Sequence, residues 1–145
     1  MRGWLARLFG KEQRHSAGEG SAAIPSPGPV WLDPEIPDEE RAVLLVRLLE
    51  DSTAREDERE DAASALEFLC GPMVEAALIR AIRAGDFHSD LAQLCAESLA
   101  GIWAREDHVD PAFLAELRSL AKEEVFGILG ARAPHLLSRG AHEAL

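Results

Sequence analysis

The chain has 145 residues, 47% of them hydrophobic and 28% charged, and a formal net charge of −11 at pH 7. That is enough apolar chain for one hydrophobic core, and too acidic a balance for nucleic-acid binding, which draws its affinity from Lys and Arg neutralising phosphates. Its 2 cysteines have no CxxC spacing, and no apolar run approaches the ~20 residues of a membrane span, which excludes a disulfide scaffold and a transmembrane helix.

The charge is unevenly placed. Residues 1–20 carry four basic and two acidic side chains, net +2, residues 33–70 four against thirteen, net −9, and residues 71–145 seven against eleven, net −4. Residues 1–15 open with MRGWLARLFGK, in which Trp4, Leu5, Leu8 and Phe9 share one helical face with Arg2, Arg7 and Lys11 around it. This predicts a short amphipathic helix that docks on protein or makes weak peripheral contact with an anionic membrane surface. The segment lacks the uninterrupted apolar region and cleavage site of a secretory leader. The expected compartment is the cytoplasm, or the inner face of its membrane if the helix binds lipid. Residues 16–36, rich in Gly, Ser, Ala and Pro, predict a linker.

Residues 37–134 carry recurring helix signals. Asp38, Glu39 and Glu40 suit the first turn of a helix running to about Asp51. Thr53 with Glu56 matches a capping box and opens a second helix through EREDAASALEFLC, which Gly71 ends. Pro72 suits the first turn of a third, MVEAALIRAIRA, stopping at Gly85. Ser89 is placed to cap a fourth, DLAQLCAESLAGIWAR, and Asp110 before Pro111 to start a fifth, AFLAELRSLAK. A sixth, EEVFGILGA, contains Gly127 and Gly130 and ends at Pro134. Residues 135–145 are expected as a loose tail. Cys70 and Cys95, inside helical apolar patterns, are expected to be reduced and buried.

A shift of 33 residues lays the first helix on the third, Val46 on Ile79 and Leu49 on Ile82, and the second on the fourth, Ala62 on Cys95, Leu66 on Leu99 and Leu69 on Ile102. One offset serving two different helices predicts a tandem helix pair, since a lone pair cannot bury both sides of its apolar stripe and neighbouring pairs stack. A third copy is suggested by LRSL at 117–120, matching IRAI at a shift of 38, and by Val125 to Leu129, matching Cys95 to Leu99 at a shift of 30. The chain here resembles the HEAT repeats, in the short form related to phycobilisome (bilin) lyases, whose second helix reads approximately V-R-x-x-A-A-x-A-L. EREDAASAL at 58–66 keeps the Arg, the Ala pair and the final Ala-Leu, and LAQLCAESL at 91–99 keeps the apolar frame. The resemblance covers about residues 38–133. It implies an all-α fold, a short right-handed α-solenoid of about three helix pairs. In that family an Asp six residues before the Arg joins it in a ladder between repeats. This chain departs from that pattern, with Thr53 six before Arg59 in the first copy and Asp86 six before Ala92 in the second, so a cross-repeat pair of Arg59 with Asp86 is open but is not the expected contact.

Catalytic patterns are absent: no Walker loop, no HExxH, no GxSxG. His15, His88, His108, His135 and His142 show no zinc spacing, so neither a metal nor a cofactor is expected. The run REDERED, 55–61, reads as a solvated helix face, and Arg47, Arg80 and Arg118, each after an aliphatic, as arginines whose stems cover the core edge. The surface left for binding is the exposed side of the second helices, which line the concave surface of such solenoids, where Glu60, Ser64 and Glu67 fall in register with Gln93, Glu97 and Ala100. This acidic row predicts a non-catalytic adaptor or scaffold in a bacterial-type cytoplasm, with a protein partner of basic surface and no nucleic acid. The alternatives are an immunity-type inhibitor of a basic toxin or nuclease, and a bilin-lyase-like or other enzyme-associated role. The oligomeric state stays open.

Overall fold

The computed structural model describes residues 32–144, and their side chains as far as Arg139. The amphipathic segment 1–15 and most of the linker lie outside the described residues. Among the described residues there are seven α-helices and no strand: α1 Asp38–Glu50, α2 Glu56–Ala65, α3 Pro72–Ala84, α4 Asp90–Glu106, α5 Pro111–Glu116, α6 Ser119–Arg132 and α7 Pro134–Ala144. A 3₁₀ turn, Leu66–Phe68, extends α2.

Local chemistry starts several of these helices where the sequence indicates. Asp38, Glu39 and Glu40 fill the first turn of α1, against the positive end of its dipole. Ser89 Oγ accepts from the Ala92 amide at 3.1 Å, and Asp110 Oδ1 from the Phe113 amide at 3.2 Å, capping α4 and α5. The capping box at Thr53 does not form. Thr53 donates both its amide and its hydroxyl to Asp51 Oδ1 at 2.9 and 2.6 Å, closing a turn that delays α2 to Glu56.

The core lies where the helices stack. α1 packs on α2 and α3, α2 and α3 on α4, α4 on α6, and α7 on α5 and α6. Leu49 and Ile82, Ala62 and Cys95, and Leu66 and Leu99, pairs related by the 33-residue shift, are all fully buried. At the shift of 30, Val125 and Leu129 are buried like Cys95 and Leu99. Polar groups connect the same layers. Ser98 Oγ donates to the Ala63 carbonyl at 2.7 Å, Trp103 Nε1 to Glu75 Oε1 at 3.0 Å and Arg80 Nε to Glu50 Oε2 at 2.7 Å, while Arg83 grips both oxygens of Glu116 at 2.7 and 2.8 Å. Arg83 in turn holds the Glu116 carboxyl below its ordinary range. These bonds join residues 28 to 35 apart in sequence, so they tie one helix to another rather than bracing a single helix. The exposed ion pairs contribute little each, and the buried Ser98 bond contributes more.

One open pairing is resolved here and two expectations are corrected. Arg59 does not reach Asp86: its Nε donates to the Leu49 carbonyl at 2.8 Å, and Asp86 pairs with Arg118 at 2.6 Å. The fifth helix does not run through LRSL. It stops at Glu116, and SLAKEEVFGILGAR forms one helix after an extended Arg118 with φ −153° and a left-handed Ser119 with φ 57°. Leu117 fills the core while Arg118 lies over the Phe87 ring, 4.2 Å from its centroid, so packing sets the break and the shift-38 match of LRSL with α3 fails. Residues 135–144 are likewise not a loose tail, since they belong to α7. Leu136 is buried in the core, and His135 Nε2 lies 2.5 Å from Asp107 Oδ1 in the turn after α4.

Gly127 and Gly130 sit inside α6 with nothing within 4 Å of where a Cβ would stand. Glycine in a helix interior loses more backbone entropy on folding than alanine, so Gly127→Ala and Gly130→Ala are each expected to stabilise by ~0.5 to 1 kcal/mol. Thermal melts check this, and an unchanged or lower Tm would show that α6 is not a regular exposed helix at those positions.

Candidate partner-binding face

Five residues define the predicted row, and their positions follow from helical spacing. Glu60 and Ser64 stand four apart on α2, Glu67 follows in the 3₁₀ turn, and Gln93 and Glu97 stand four apart on α4. The α2–α4 packing, fixed by the buried Ser98 bond to Ala63, sets the two segments side by side. Close approach depends on Gly101, one turn beyond Glu97. A Cβ there would fall 2.8 Å from Glu67 Cδ, so the absent side chain is what lets Glu67 lie against α4. Gln93 Nε2 donates to Glu124 Oε1 at 3.2 Å, which carries the row across to α6. Glu60, Glu67, Gln93, Glu97 and Glu124 are all half-buried, whereas Ser64 is buried and presents no hydroxyl to a partner.

The band therefore gains Glu124, which the sequence reading passed over. The shift of 30 lays Leu94 of α4 on Glu124, so the register carried no signal for it, and the bond to Gln93, 31 residues away, is what brings it to the row.

An apolar element borders the band. Phe68 is 59% exposed and Met73 44%, the exposed large hydrophobics among the described residues. Arg105 of α4 donates from Nη1 to the Glu67 carbonyl at 2.7 Å and from Nη2 to the Leu69 carbonyl at 2.9 Å. Both peptide groups flanking Phe68 are thus clamped to α4, and the ring is held outward by a fixed backbone. A helical pattern read straight through LEFLC misses this, because the 3₁₀ turn tightens the rotation per residue and moves Phe68 off the core face.

The same tightening corrects Cys70, which is exposed, while Cys95 is buried as expected. Burial pushes the Cys95 thiol up to about 12, leaving it protonated and unreactive at neutral pH. Native protein is accordingly expected to take up one equivalent of a thiol reagent and unfolded protein two. Equal reaction of both cysteines in the native state would contradict this packing.

Of the histidines whose side chains are described, His88, His108 and His135 lie at the surface in single pairings, His88 Nδ1 2.5 Å from Ser119 Oγ, His108 Nε2 3.0 Å from Glu75 Oε2 and His135 against Asp107, which keeps Asp107 ionised to lower pH than usual. Arg47, Arg80 and Arg118 are exposed, the last two in ion pairs. Among the described residues no group of three or more His, Cys, Asp or Glu side chains is arranged to hold a metal ion, and no helix is long and apolar enough to cross a membrane. Trp4, Leu5, Leu8, Phe9, Arg2, Arg7 and Lys11 lie outside the described residues. Compared with protein-family models, with curated proteins and with solved structures, the chain matches none of them.

Proposed function

We propose that the chain is a non-catalytic protein-binding adaptor, a short HEAT-like α-solenoid whose second helices α2, α4 and α6 present an acidic band to a basic partner. The observation that carries this reading is the run of Glu60, Glu67, Glu97 and Glu124 across three successive packed segments, with Gln93 bridging the last two. Carboxylates in one row raise the local negative potential, which steers a basic partner and discriminates against an acidic one. Support for stacked pairs comes from the buried 33-residue equivalents and from side-chain bonds spanning about one such interval.

The test is affinity capture from the native cell at low and high salt, with the wild-type chain and with Glu60→Lys, Glu67→Lys, Glu97→Lys combined. Three rim pairs at ~0.5 kcal/mol each correspond to about a tenfold loss of affinity, so the proteins that salt elutes from wild type are expected to be missing from the variant. Equal recovery by both, with the helical signal of the variant unchanged, would remove the acidic band as the binding surface.

A further inference from the structure

We propose that Ser119 is a covalent acceptor site, a hydroxyl that His88 activates to take an acyl group from an activated ester. Such a site is independent of the acidic band, and because each chain accepts one group it is compatible with a non-catalytic adaptor.

The pair forms where the fold presses two turns together. His88 lies in the turn from α3 to α4, in which its amide donates to the Gly85 carbonyl at 3.1 Å and the Phe87 amide to the Ile82 carbonyl at 3.0 Å. Asp86 and Phe87 there have φ of 54° and 61°, left-handed values that a non-glycine residue holds only where its surroundings impose them. Ser119, with φ 57°, opens α6 in the same region. Of the four non-glycine residues with positive φ among the described residues, three therefore meet at this contact. Three ties hold the two turns in register: the Ala121 amide donates to the Phe87 carbonyl at 2.9 Å, Arg118 Nη2 to Asp86 Oδ1 at 2.6 Å, and the Arg118 guanidinium lies 4.2 Å from the Phe87 ring centroid. Phe87 is itself buried and stacked on Phe113, with centroids 6.1 Å apart. Arg118 and Phe87 are thus positioning residues. Between these ties His88 Nδ1 stands 2.5 Å from Ser119 Oγ, with both residues exposed. Two side chains on loose loops would meet only part of the time, whereas bonds on both sides here fix the distance in advance.

A serine hydroxyl is a weak nucleophile by itself, and a hydrogen-bonded imidazole is the base that activates it. With the ring proton on Nε2, Nδ1 accepts from the hydroxyl. Oγ adds to the carbonyl carbon of the ester while its proton passes to Nδ1. As the adduct collapses, the Oγ–C bond remains, the bond to the leaving oxygen breaks, and that oxygen takes the proton from Nδ1. The acyl group has moved to Ser119, an alcohol is released, and nothing is oxidised or reduced.

The full chain is treated with p-nitrophenyl acetate at neutral pH, and acetylation is followed in time by peptide mass mapping, which separates Ser119 from the exposed thiol of Cys70. Ser52, exposed in the turn before α2, is the internal reference. General-base assistance gives about 10²- to 10⁴-fold, so Ser119 is expected to acetylate at least ~100-fold faster than Ser52 in native protein. The advantage is expected to vanish in urea, and in His88→Gln with an unchanged helical spectrum. Equal rates at Ser119 and Ser52 in the native chain overturn the proposal without recourse to any variant. A fast Ser119 that persists in urea overturns it too, since the reactivity then belongs to the local sequence, and one that persists in folded His88→Gln removes the imidazole as the base. Where His88→Gln loses helix, the comparison of native chain with urea decides.

Discussion

Leu99→Ala is expected to destabilise the protein by ~2 to 5 kcal/mol, the range for truncating a buried leucine in a packed core. Leu99 is inaccessible to solvent at the middle of α4, the helix that α2, α3 and α6 all pack against. Relaxation around the cavity is limited, because three helices would have to close on it together. Leu66 and Leu129, its equivalents at shifts of 33 and 30, are equally inaccessible, and Leu66→Ala is expected in the same range. Urea melts of the variants measure this. A loss under ~0.5 kcal/mol at Leu99 would mean that the position is not internal and the register is wrong.

Gly85→Ala is expected to cost ~2 to 4 kcal/mol, for a different reason. Gly85 closes α3 with φ −87°, which alanine adopts freely, so backbone strain is not at issue. Space is. A Cβ would overlap Ser89 Oγ and stand 2.8 Å from Ala92 Cβ on the first turn of α4. Ser89 can rotate away, but then it releases the Ala92 amide it caps, worth ~1 kcal/mol. Ala92 cannot rotate, so α4 must shift, at the ~1 to 3 kcal/mol typical of overpacking. A double-mutant cycle separates the two costs: Gly85→Ala in a Ser89→Ala background should cost less than in wild type, by about the value of the cap. Strict additivity would show that the overlap with Ser89 is not the source of the loss.

Where the sequence spoke clearly, local chemistry and periodicity agreed. Ser89 and Asp110 cap the helices they precede, Gly85 and Pro72 punctuate α3, and of the apolar pairs chosen by the 33-residue shift Leu66 with Leu99 and Leu49 with Ile82 are buried, while Ile79, the match of Val46, is half-buried. What the sequence hid depends on contacts distant in the chain. Nothing in AELRSLAK announces a break, since it contains neither Gly nor Pro. The break at Leu117 and Arg118 forms because Leu117 is drawn into the core and Arg118 onto Phe87 and Asp86, thirty residues back. α7 has few apolar residues and Gly140, a poor helix in isolation, yet one buried leucine and the His135–Asp107 pair hold it. In the proposed acidic band, the helical positions of Glu60, Glu67, Gln93 and Glu97 follow from their spacing in the sequence. Those of Phe68 and Cys70 do not, because a 3₁₀ turn rotates them outward where a continuous α-helix would have turned them in.

Carboxyl footprinting of the full chain, alone and with the basic partner that salt-dependent capture recovers, tests the account most directly. Carbodiimide labelling of Glu60, Glu67, Glu97 and Glu124 is predicted to fall on complex formation, while Glu39 at the start of α1 and Glu106 at the end of α4 label as before. Unchanged labelling of the four band residues, or protection confined to Glu39 and Glu106, would contradict it.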